Sequence, residues 1–200
     1  MNIPTWLDVR RGIRKWGELL NNYYGDCVVA AYLHLSMVHH VAKASTWHKV
    51  LYVLGFKVPG NRLSYQDYQE FLATLDEIPS PTTGVNVPQF FNWLKARGDI
   101  KDWAEVPFTT DWNDAVRLGT YVGDGALVTL NLTKRAWEQG TDVHKIWSLD
   151  PGEVPDPSLG HAVANVFYRK NNGVVTWGRV KEMDVDFTNV CVNSVFIFTE

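Results

Sequence analysis

The chain has 200 residues, of which 46% are hydrophobic and 20% charged, with a formal net charge of −3. That length and balance suit one globular domain with a sizeable core. The weakly acidic charge gives no electrostatic reason to expect nucleic acid or an anionic membrane as partner.

The opening segment, MNIPTWLDVRRGIRKW, lacks the apolar run of a signal peptide, and no stretch approaches membrane-spanning length. The expected location is the cytoplasm, with a virion particle as the alternative. Arg10, Arg11, Arg14 and Lys15 form the densest basic cluster, interleaved with Trp6, Leu7, Val9, Ile13 and Trp16. This spacing predicts an amphipathic N-terminal helix with a wet basic face. The next stretch, NNYYGDCVVAAYLHL, places Cys27 where turn-forming residues give way to an apolar helix running to about Ala42, with Asp26 as its N-cap candidate. A cysteine in a first turn sits at the positive end of the helix dipole, which favours thiolate.

Further helices are expected at Thr46–Leu54, at Ser64–Leu75 with Ser64 capping, and over VPQFFNWLKAR, closed by Gly98. AEVPFTT and GALVTLNLT follow as strands around the helix DWNDAVRLGTYV, and residues 138 to 160 are a Gly- and Pro-spotted loop. The tail is β: HAVANVFY, a turn at Asn172-Gly173, VVTWGRV and VCVNSVFIF, with Cys191 as a core residue. Helices precede antiparallel strands, so the fold class is α+β. One domain covers 1–200, mainly helical over 1–103 and mainly β over 104–200. His34, His39 and His40 fall on different helix faces, so no metal site is expected, nor any cofactor.

His161 follows Gly160 at the start of a strand, 134 positions after Cys27. A thiol opening a helix and a histidine opening a strand are the two parts that nucleophilic catalysis requires. With Gly25-Asp26-Cys27 matching Gly-x-Cys, and Gly160-His161-Ala162-Val163 matching a histidine strand, the sequence resembles the papain-like cysteine peptidases. More closely, NNYYGDCVVAA, GHAV and VVTWG together resemble an uncharacterised papain-fold group of actinobacteria and their phages. The resemblance implies a helical lobe, with a central nucleophile helix, packed on a C-terminal antiparallel β lobe. It also implies Cys27 as nucleophile and His161 as general base and acid. The oxyanion donor would be Asn21, or Asn22 beside it, six places before the cysteine where relatives carry Gln. Gly25, Asp26, Gly160 and Trp177 would flank the substrate. Val28 departs from the family's Trp after the nucleophile.

Relatives orient the imidazole with Asn or Asp before Ser-Trp-Gly, and here Val175 stands at that place. If the strands pair in simple register about Asn172-Gly173, Asp184 faces His161 and is the candidate orienter. The expected function is cleavage of peptide or isopeptide bonds in a peptide or protein substrate. A catalytically weak or inactive binding protein, such as a phage virion component with protein partners in an assembly, is the alternative. Acyl transfer to an amine is a third reading.

Overall fold

The computed structural model describes residues 3–17, 25–45, 65–75, 84–108, 110–140 and 142–200. Asn21, Asn22, His48, Ser64 and the helix expected at Thr46–Leu54 lie outside the described residues. Among the described residues no helix is long and apolar enough to cross a membrane.

Helix α1 (Cys27–Lys43) is apolar on nearly every face and is buried on nearly every face. Burial of each large aliphatic side chain is worth about 1.5–3 kcal/mol, which outweighs the weak helix propensity of its valines. Two histidines fasten it: His34 Nε2 lies 3.0 Å from the Gly17 carbonyl, and His39 Nε2 lies 2.9 Å from that of Gly123. Helix α2 (Tyr65–Ala73) contributes Phe71 and Leu72 to the same core. Helix α3 (Val87–Arg97) starts at a capping Asn86 and ends at Gly98, whose φ of 82° closes it in a left-handed turn.

Among the described residues, seven strands form one antiparallel sheet: β1 (Leu7–Asp8), β2 (Asp102–Glu105), β3 (Ala126–Asn131), β4 (Gly160–Tyr168), β5 (Asn172–Thr176), β6 (Arg179–Met183) and β7 (Val192–Thr199). The order is β2-β7-β3-β4-β5-β6, with β1 paired to the end of β4. Residue alternation sends Ala162, Ala164, Val175 and Phe196 toward α1, α2 and α3. It sends Val163, Val174 and Val195 into a second core with α4 (Trp112–Val122), α5 (Lys134–Gln139) and α6 (Val185–Cys191). The sheet is therefore covered on both faces.

Three expectations are corrected. The N-terminal segment is strand and turn, not helix. Leu7 and Asp8 pair with Tyr168 and Phe167, and Arg11 and Gly12 both take positive φ. Val9, Ile13 and Trp16 are buried at helix-like spacing by a chain that turns rather than coils. Secondly, Asn172 and Gly173 belong to β5, and the hairpin turns at residues 169–171, with the Arg169 N–H donating to the Asn171 carbonyl at 3.0 Å. Thirdly, α5 and α6 were not expected. Cys191 ends α6 rather than sitting in a strand, although it is buried.

Gly173 lies in the strand because Phe167 covers it: a Cβ there would fall 2.0 Å from the Phe167 ring. Gly173→Ala is therefore expected to lower stability by about 1–3 kcal/mol in denaturant unfolding. Gly84→Ala, where a Cβ meets nothing within 4 Å, should change it by less than about 1 kcal/mol.

Candidate active site

The N-terminus of α1 meets the start of β4. The backbone N–H of Ala162 lies near enough to the Cys27 thiol to favour its thiolate form, so the nucleophile candidate sits beside the peptide that joins His161 to Ala162. The N–H groups of Val28 and of Cys27 itself also favour thiolate, as the helix start led us to expect. Burial outweighs them. The half-buried Cys27 thiol is pushed up to about 11, first by desolvation and further by the neighbouring Asp26 carboxylate. The thiol, not the thiolate, is the resting species at neutral pH.

Asp26 occupies the N-cap position but makes no side-chain capping bond. Only 1% exposed, with Oδ1 lacking any partner, it is pushed by burial up to about 7. A buried unpartnered carboxyl is expensive to ionise, which explains the direction.

His161 pairs with Leu130 on β3 and is buried. Its Nε2 lies 2.7 Å from Thr176 Oγ1, and its ring stacks on Trp177 at 4.6 Å and 14°. Desolvation lowers its pKa to about 4, leaving the imidazole neutral at pH 7. Trp177 and Gly178 form the two-residue turn between β5 and β6, with φ of 43° and 72°. A tryptophan in that conformation is strained by about 1–2 kcal/mol. Contacts on His161, and edge-on with Trp137 and Trp147 at 5.8 and 6.3 Å, hold it there.

Asp184 is not brought to this site. It caps α6, accepting the Phe187 N–H at 2.8 Å. The β4–β5 register pairs Ala164 with Val175, not the simple register about Asn172-Gly173, and Asp184 lies past the end of β6 remote from Trp177. One strand length, about 17 Å, separates the two ends. The same register sets Thr176 diagonal to His161 on one face. Thr176 is the residue that sequence reasoning missed, and its position directly before Trp177-Gly178 was the available signal. Gly160 is exposed at the mouth of β4, and a Cβ there would meet nothing closer than Asn131 Oδ1 at 4.0 Å. Gly25 is half-buried just ahead of Asp26.

Asp26 ionises near 3.8 when unfolded and near 7 when folded, so its contribution to stability falls as pH rises between these values. His34 and His161, both lowered to about 4 from 6.5, act oppositely as pH rises from about 4 to 6.5. Asp26→Asn is expected to stabilise the fold by roughly 2–4 kcal/mol at pH 8 and to have little effect at pH 4. Denaturant unfolding at both values checks this, and an equal effect at each would contradict it.

No protein-family model matches this sequence, and no curated protein sequence matches it. Solved structures do. The chain is similar to a recombinant stem bromelain precursor, with a TM-score of 0.59 at 13% identity, covering 98% of this chain and 70% of that one. It is likewise similar to a Carica candamarcensis cysteine protease solved in complex with E-64. There the TM-score is 0.57 at 13% identity, covering 99% of each chain. The α+β arrangement of a helical N-terminal part and an antiparallel sheet is the papain-like fold of cysteine proteases.

Proposed function

We propose that the chain is a thiol hydrolase that cleaves peptide or isopeptide bonds through Cys27 and His161. The observation that supports this reading is the influence of the Ala162 N–H, next in sequence to His161, on the Cys27 thiol. The papain-like fold adds support.

His161 Nε2 lies 2.7 Å from Thr176 Oγ1, and in the tautomer that carries its proton on Nε2 the ring donates to this hydroxyl and keeps the Nδ1 lone pair as base. As sulfur attacks the carbonyl carbon, the thiol proton moves to the imidazole, because the resting pair is neutral. The tetrahedral oxyanion is held by N–H donors at the start of α1 and by the side chain of Asn21 or Asn22. The C–N bond then breaks as the imidazolium returns its proton to the amine. Water, deprotonated by His161, hydrolyses the thioester and restores the thiol. Thr176 acts through the imidazole and is a positioning residue. Gly25 and Gly160 are the residues of this reading that would border the substrate, Trp177 covers the imidazole, and Asp26, only 1% exposed, is closed off from substrate, contrary to the expectation from sequence.

A second reading, a binding protein of papain-like fold with little catalysis, is favoured by one observation. The imidazole partner is a hydroxyl, which stabilises an imidazolium less than a carboxylate would. Cys27→Ala that leaves the biological role intact would support it.

The test is covalent capture by an epoxide of the E-64 type, read by mass spectrometry. Cys27 should be modified while Cys191 is spared. His161→Ala should slow capture by about 100-fold or more, the scale of general-base catalysis. Thr176→Val should slow it by roughly tenfold, the worth of one orienting hydrogen bond. Equal, slow modification of both cysteines would contradict the reading. Cleavage of a peptide substrate should require neutral imidazole and intact thiol, giving a broad pH plateau with limbs near 4 and near 11. A narrow optimum with both limbs between pH 6 and 8 would contradict the neutral pair. Primary amines added to the assay distinguish hydrolysis from acyl transfer by their products.

A further inference from the structure

The basic cluster of the N-terminal segment divides in two. Arg10 pairs with Asp8, and Arg11 pairs with Asp124. Arg14 and Lys15 have no ion-pair partner among the described residues, and they line a groove of about 510 Å³. The opposite wall is Trp177, Gly178 and Arg179, and Arg179 is likewise unpaired among the described residues. All three cations are exposed, and among the described residues no acidic side chain lines the groove. On a chain of net charge −3, three cations around one groove without an ion-pair partner among the described residues form a local positive field.

The groove begins at the indole that covers His161. In thiol hydrolysis the leaving amine takes its proton from the imidazole, so the segment beyond the scissile bond departs on the imidazole side of the sulfur. We infer that this groove binds the leaving-group side of the substrate and selects an acidic peptide segment there, through Arg14, Lys15 and Arg179. The inference rests on the thiol-hydrolase reading for its placement, although the groove's charge stands without it. Phosphate or carboxylate groups would both satisfy the cations, but a peptide bearing Asp and Glu is the occupant that continues a peptide substrate.

The experiment has two arms. In the first, wild-type protein is incubated with a pooled library of unstructured decapeptides, and products are sequenced by mass spectrometry. Asp and Glu should be enriched about fivefold or more on the leaving side at low salt, with the enrichment fading at about 0.5 M salt as screening shortens. The triple variant Arg14→Glu, Lys15→Glu, Arg179→Glu should lose the enrichment, and its near-native unfolding midpoint would show that it folds. Lys170→Glu, an exposed reversal on the far hairpin turn, should keep it. Cleavage without acidic enrichment overturns the inference and leaves the hydrolase reading standing.

The second arm measures binding of a fluorescent Glu- and Asp-rich decapeptide to Cys27→Ala, which needs no catalysis. Binding at least about tenfold tighter than that of a Lys-rich peptide, and abolished by the triple reversal, supports the groove even if no peptide is cleaved. Equal binding of the two peptides overturns it, as does tighter binding of a single-stranded RNA of equal length.

Discussion

The N-terminus of α1 is packed against the first residues of β4, where the Ala162 N–H lies beside the Cys27 thiol and favours its thiolate form. That contact follows from how each element is buried. Helix α1 has no polar face to leave in water, so it must lie on the sheet, and β4 is the central strand beneath it. Once the helix is seated, the first side chain of the helix and the second of the strand share one edge of the sheet. The geometry at that edge is a consequence of packing that extends through both cores.

Burial also sets the charge state of the pair. Helix N-termini favour anions by roughly 0.3–1 kcal/mol at exposed sites. Desolvation acts on Cys27, His161 and Asp26 alike, and in each case opposes the charged form. The larger effect wins, so the resting species are a neutral Cys27 thiol and a neutral His161 imidazole. An uncharged hydroxyl then suffices to orient the ring, and the absence of a carboxylate at Val175 loses much of its significance. The aromatic group of Trp177, Trp137 and Trp147 maintains this state by excluding water from one face of the imidazole.

Much of the fold could be read from the amino-acid pattern. The start of α1 after Asp26 and the end of α3 at Gly98 follow from the sequence, although Asp26 makes no capping bond, and the β tail follows from alternation. The N-terminal helix failed because Val9, Ile13 and Trp16 repeat as a helix would, while Leu7 and Asp8 gain sheet partners remote in sequence. Asp184 failed as an orienter for a related reason. Asn172-Gly173 has the composition of a hairpin turn, but Gly173 is needed inside β5 to admit the Phe167 ring, so the turn moves and the register shifts with it. Local composition could not show that contact. Cys27 and His161 were legible as candidates because their spacing and flanking glycines are local, whereas Thr176 depends on register. The pKa directions depend on burial, which no linear pattern displays.

The central claim is a neutral thiol–imidazole pair at the α1–β4 edge, and NMR titration of the His161 ring addresses it most directly. The imidazole should be neutral at pH 7, titrate near pH 4, and shift in resonance when Cys27 is alkylated. An imidazole that is charged at pH 7, or one indifferent to alkylation of Cys27, would contradict the account.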